Sequence, residues 1–144
     1  MSREYVTGDR EQSRAYSRVV KVKGGTTLYL AGVGGANDAQ GKSLAGDFAA
    51  QVHAVFARIR ENLAQAGGTL DNLVTMTVFI TDSRYGDEFI EIRKQYFQRG
   101  YPASALIGVE SLARPEMLVE VQAIAVLEEV GSVPAASSVA AAAR

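Results

Sequence analysis

Within the string VEVQAIAV, residues 119–126, Glu120 is a carboxylate in a run that otherwise reads as sheet interior. By the two-residue period of a strand, Val119, Val121, Ala123 and Ala125 share one face, and Glu120, Gln122, Ile124 and Val126 share the other. Shielding from water raises the proton affinity of a carboxylate, which can then exchange a proton with a nearby water. The competing reading is a structural carboxylate, paired with a base or solvated at the strand end. Gln122 is the next polar group on the same face.

Other residues carry weaker chemistry. His53 is the one histidine of the chain and sits beside an apolar helical stripe, which reads as a helix-surface position; no metal site is expected. Ser17, Ser43, Ser104 and Ser111 lack a GxSxG context. Gly32, Gly34 and Gly35 in AGVGGAND precede a loop instead of opening a helix. A turn beside a cleft fits them better than a phosphate loop, although backbone N–H groups there could still meet a ligand. Arg14, Arg18, Arg99 and Arg114 read as solvated charges.

The composition limits the partners. The chain has 144 residues, 47% hydrophobic and 22% charged, which suits one ordinary globular domain. Fifteen basic and sixteen acidic residues leave a net charge of −1, so neither nucleic acid nor an anionic membrane is expected as a partner. There is no cysteine, hence no disulfide and no thiolate chemistry, and the expected location is cytoplasmic. The start, MSREYVTGDREQSR, is too polar for a secretory signal, and no apolar run approaches membrane-spanning length.

The elements that must position Glu120 follow from periodicity. AYSRVVKV and TTLYLAGV read as strands joined by a hairpin turn at Lys23, Gly24 and Gly25. Over residues 44–66, Phe48, Val52, Val55, Phe56, Ile59 and Leu63 recur at helical spacing, and Gly67 and Gly68 end the helix. LVTMTVFIT is a strand, and Asp82 and Ser83 start the turn into a second helix, DEFIEIRKQYF, with Phe89, Ile92, Tyr96 and Phe97 on one stripe. SALIGVE and MLVEVQAIAVLEE are further strands about a turn containing Arg114 and Pro115. The order β-β-α-β-α-β-β predicts an α+β fold, a mixed sheet of about five or six strands with two helices packed on one face. Residues 1–12 are expected to be a flexible arm, 13–129 the domain, and the Ala/Ser-rich residues 130–144 a disordered tail.

Both faces of this sheet carry large apolar residues. Tyr29, Ala31 and Val33 oppose Leu28 and Leu30; Val74, Met76, Val78 and Ile80 oppose Leu73 and Phe79. Two helices cover one face only, so the other marks an interface and predicts an obligate oligomer. The alternative is that the N-terminal arm or loops cover it.

Several strings together resemble the YjgF/RidA family of reactive-intermediate (enamine/imine) deaminases over about residues 13–128. They are AYSRVVKV with LYLAGV, ENLAQAGGTLDNLVTMTVFITD, FIEIRKQYF and YPASALIGVESLARPEMLVEVQAIAV. Residues 63–82 and the closing VEVQAIA are the most specific. The resemblance implies a chorismate-mutase-like fold and a homotrimer with a small-molecule cleft between subunits. It matches Glu120 to the glutamate that orients the attacking water, and Tyr16 to a cleft tyrosine. It also exposes departures. The arginine that holds the substrate carboxylate falls at Ser104 or, with a one-residue difference near Arg114, at Ala105; a cleft serine falls at Ala31, beside Gly32.

Imine hydrolysis needs a proton donor and a delivered water, and neither metal nor organic cofactor. The expected function is therefore hydrolytic deamination of an enamine or imine, with a non-catalytic small-molecule-binding trimer as the alternative. Endoribonuclease activity ranks last, because the chain offers neither a histidine pair nor a basic stripe. With no fixed cation in view, the sequence suggests a substrate less acidic than a simple imino acid; Arg114 is the arginine considered as a replacement for the missing anchor.

Overall fold

A computed structural model of the chain describes residues 1–129; the stretch 130–144, expected to be a disordered tail, lies outside the described residues. In chain order the elements are β1 (Ser2–Val6), α1 (Asp9–Ser13), β2 (Val19–Lys23), β3 (Thr26–Gly34), α2 (Phe48–Gln65), β4 (Leu73–Ile80), α3 (Gly86–Arg93), β5 (Ala103–Gly108) and β6 (Val119–Leu127). The main sheet runs β3-β6-β4-β5. Strand β6 is antiparallel to both its neighbours, while β4 and β5 are parallel and connected through α3. The expected mixed sheet with two helices on one face is present, but the six strands divide into this four-stranded sheet and a separate β1–β2 ribbon.

Helix α2 begins where the Asp47 carboxylate accepts the Ala50 N–H at 3.0 Å, and it stops before Gly67, whose φ of 87° needs no side chain. Its stripe Phe48, Val52, Val55, Phe56, Ile59 and Leu63 is buried. Phe89 and Ile92 of α3 join it over Met76, Val78, Ile80, Val119, Val121, Ala123 and Ala125. Each fully buried side chain of Phe or Ile size contributes about 1.5–3 kcal/mol relative to an exposed one.

Strict alternation fails at two places. Irregularities between Leu30 and Val33 and between Leu73 and Thr75 insert extra residues into β3 and β4. Leu73 is therefore buried with Met76 instead of opposing it, and Val33 packs toward the core instead of lying with Tyr29.

Two further expectations are corrected at the N-terminus. Where a flexible arm was expected over residues 1–12, Ser2–Val6 is a strand paired antiparallel with β2, followed by α1. The Arg3 guanidinium holds it down, donating to the carbonyls of Asp71 at 2.5 Å and Val126 at 2.8 Å. Gly24 and Gly25 do take the positive φ of a tight turn, 78° and 86°, but no ladder joins β2 to β3. β2 pairs with β1, and β3 pairs with β6.

The face of the main sheet turned away from α2 and α3 is largely open. It carries Tyr29 (81% exposed), Ile107 (40% exposed), Ile124, Thr75, Thr77, Phe79, Ala105 and Gln122. The β1–β2 ribbon approaches it near Val126, beside Gly25 and Met1. Among the described residues no helix is long and apolar enough to cross a membrane.

Candidate functional site

Glu120 emerges on the open face as the second residue of β6. Its cross-strand partners are Phe79 on β4 and Gly34 on β3. The residue is half-buried, and no cation among the described residues lies within ion-pair distance of its carboxylate. Gly32 makes room for it: a Cβ on Gly32 would stand 2.5 Å from Glu120 Oε2. Gly32 and Ala31 lie in the irregular stretch of β3, both exposed, so the β-bulge opens the carboxylate to solvent on one side. Gln122 lies across from Thr77, which pairs in turn with Ala105.

Ser104 is on the opposite face. It pairs with Met76, a core residue, and its Oγ accepts from Arg93 Nη1 at 2.7 Å. Tyr16 is placed beside it at the outer edge of β5, because Ser17 donates its N–H to the Pro102 carbonyl at 3.0 Å and its hydroxyl to the Tyr101 carbonyl at 2.6 Å. The six sequence-predicted residues thus divide: Glu120, Gly32, Ala31 and Ala105 belong to the open side, and Ser104 with Tyr16 to the β5 edge.

Arg93 was missed by sequence reasoning. Its signal is spacing: it follows Phe89 by four residues, on the buried stripe of α3. It is 2% exposed, donates from Nη2 to the Arg14 carbonyl at 2.9 Å, and stacks over the Phe89 ring at 5.2 Å. Burial, and secondarily the charge of Arg14, depress its pKa from the ordinary arginine value to about 10. The arginines considered from sequence are elsewhere: Arg114 pairs with Glu116 at 2.8 Å, Arg18 with Glu11 at 2.7 Å, Arg99 with Glu128 at 3.9 Å and Arg14 with Asp87 at 3.6 Å.

Gln51 is a second residue that sequence reasoning passed over. Fully buried, it donates to the carbonyls of Leu44 (3.0 Å) and Glu116 (2.9 Å) and accepts the Leu118 N–H (2.9 Å). It therefore fixes the entry to β6 two residues before Glu120. The glycine loop is held from α2 by Arg58, which donates to the carbonyls of Gly34 and Asn37 at 2.8 and 3.0 Å. His53 is exposed and hydrogen-bonds through Nδ1 to the Tyr96 hydroxyl. No group of three or more His, Asp or Glu side chains is placed to hold a metal among the described residues.

Comparison with known proteins identifies the family and the fold. The family model described as endoribonuclease L-PSP matches residues 8–127. The 2-iminobutanoate/2-iminopropanoate deaminase of Bos taurus is 34% identical over 111 residues, 77% of this chain and 79% of that protein. A RutC family protein of Aquifex aeolicus is 34% identical over 112 residues, 76% of this chain and 87% of that one. A Rid-family protein of Yersinia pestis, described as of unknown function, superposes with a TM-score of 0.77 at 28% identity, covering 88% of this chain and 100% of that one. A YjgF-family protein of Mycobacterium tuberculosis gives 0.63 at 32% identity, with the same coverage. The fold is accordingly the chorismate-mutase-like one, and the chain belongs to the YjgF/RidA family, the group described as endoribonuclease L-PSP.

Proposed function

We propose that this chain hydrolyses a small imine or enamine to a carbonyl compound and ammonia, as a cytoplasmic homotrimer with ligand clefts between copies. The observation that carries the reading is the Glu120 carboxylate: half-buried, without an ion-pair partner among the described residues, and backed by Gly32 on an uncovered sheet face. The open apolar face supports assembly, since a patch of this kind favours burial against other copies. The naming of several relatives as 2-iminobutanoate/2-iminopropanoate deaminases supports the reaction class. A composition without cysteine supports the cytoplasm.

The chemistry asks little of the protein. Protonation of the imine nitrogen, or of the enamine carbon, gives an iminium ion. Glu120 accepts a proton from water as its oxygen bonds to the iminium carbon, giving a carbinolamine. Return of that proton to nitrogen makes it a leaving group; the C–N bond breaks as the hydroxyl gives up its proton to water and the C=O bond forms, releasing ammonia. No cofactor enters these steps.

A second reading, a binding trimer without turnover, is favoured by one departure: Ser104 and Ala31 stand where the resemblance puts an arginine and a serine. Ammonia release from freshly generated 2-iminobutanoate separates the two. Acceleration by the wild type that Glu120→Ala abolishes supports the deaminase; no acceleration leaves the binding role.

A further inference from the structure

We propose that a cavity beyond the C-terminal end of β6 binds the phosphoryl group of a small phosphate, free or esterified. The cavity measures about 220 Å³ and is lined by Arg3, Tyr5, Arg99 and Glu128. Glu128 follows Glu120 by eight residues of largely extended chain, about 26 Å, so this place is separate from the open-face carboxylate. Three peptide carbonyls take the terminal nitrogens of Arg3: Asp71 at 2.5 Å, Val126 at 2.8 Å and Asn72 at 3.4 Å. Its Nε is buried with no acceptor, and no carboxylate pairs with it among the described residues. The nearby Asp71 carboxylate is taken up by the Gln98 N–H at 3.0 Å. A cation drawn partly out of water with only neutral acceptors keeps its positive field.

A second guanidinium is brought to the same place by the packing of β1. Tyr5 lies so close to the Gly100 backbone that a Cβ there would stand 2.6 Å from its ring, and the neighbouring Arg99 forms part of the cavity wall. The one ion-pair partner of Arg99 among the described residues is Glu128, at 3.9 Å, with both side chains more than half exposed. A pair so loose and so exposed holds its members weakly. The charges then select the ligand. With Glu128 turned out to water, Arg3 and Arg99 present two positive charges, which a phosphate dianion neutralises and a single carboxylate does not. Guanidinium groups match phosphate oxygens in geometry, and Tyr5 adds a phenolic donor. Glu128 is therefore a built-in competitor for the site. A ligand held there bridges β1, the segment before β5 and the end of β6, so it also fastens the ribbon to the main sheet.

The test is calorimetric titration of the full chain with inorganic phosphate and with glycerol 3-phosphate at about pH 8, where both are dianions, with acetate as the monoanion control and chloride holding the ionic strength constant. Wild type is expected to bind at least one of the two phosphates about tenfold or more tightly than acetate. Preference for glycerol 3-phosphate assigns the site to esters, and preference for inorganic phosphate assigns it to the free ion. Arg99→Gln is expected to lose about tenfold in that affinity, and Glu128→Gln to gain about threefold, because the competing carboxylate is gone. Both positions are exposed, so both variants keep the fold. Phosphate affinity no better than that of acetate, or an affinity unchanged in Arg99→Gln or in Glu128→Gln, overturns the proposal. Glu120→Gln is expected to bind phosphate like wild type; a loss there would move the phosphate to the open face and overturn the assignment.

Discussion

Ser104 and Glu120 emerge on opposite faces of one sheet, separated by the width of β4. Adjacent strands lie about 4.8 Å apart, so the two positions are offset by about 10 Å laterally, with the sheet itself between them. A small imino acid cannot touch both within one chain. A cleft that uses Ser104 and Glu120 together must take them from different copies, at the β5 edge of one and the open face of the next.

The mass by sedimentation should correspond to three chains, and a monomer at micromolar concentration would remove the cleft altogether.

Glu120→Gln keeps the volume and polarity of the side chain while removing its basicity. Turnover of 2-iminobutanoate is expected to fall about 10²–10⁴-fold, the usual contribution of a positioned general base. The thermal midpoint should hardly move, because no ion pair among the described residues is lost.

Gly32→Ala probes the same carboxylate from the backbone. The new methyl would fall 2.5 Å from Glu120 Oε2, and the flexible glutamate must swing away. Stability is expected to change by no more than ~0.5 kcal/mol, the range of ordinary surface substitutions. Activity should drop about tenfold or more through misplacement. Equal activity in steady-state assays would separate Gly32 from Glu120.

Gln51→Leu removes three hydrogen bonds and strands the Leu44 and Glu116 carbonyls and the Leu118 N–H in the interior. Buried groups left unpaired cost about 1–3 kcal/mol each, partly recovered by relaxation, so a loss of about 2–4 kcal/mol is expected in urea unfolding.

Asp82 sets an acid limb of stability. Its carboxyl is held at about 2, below the ordinary 3.8, chiefly by the Arg84 side chain and then by the Arg84 backbone N–H. A depressed folded value stabilises fully above 3.8 and loses that contribution as pH falls toward 2. Asp82→Asn should flatten urea midpoints measured across that window, and an unchanged slope would show that the exposed pair contributes nothing.

The elements were legible where one rule decided each of them. The α2 stripe and its glycine stop, the Asp82 turn and the alternation of β6 are local patterns, and they appear as read. Strand pairing is not local. Gly24 and Gly25 carry the turn chemistry of a hairpin, yet β2 is claimed by β1, whose Arg3 finds backbone carbonyls some seventy or more residues away in sequence. The candidate site divides in the same way. The face of Glu120 follows from the two-residue period, whereas the meeting of Arg93 with Ser104 depends on how α3 docks against β5. In FIEIRKQYF the arginine looks like one more charge on an amphipathic helix.

Strand β6 puts two selective pressures on alternate letters of one nine-residue word. Val119, Val121, Ala123 and Ala125 are 0–3% exposed against the helices, whereas Glu120, Gln122 and Ile124 face the other way. Saturation mutagenesis read separately for abundance and for activity should therefore resolve into two interleaved combs. Polar replacements at the odd positions would deplete the protein itself. At the even positions the protein would accumulate normally, with its function altered, so drift in this segment could explore new chemistry without first endangering the fold.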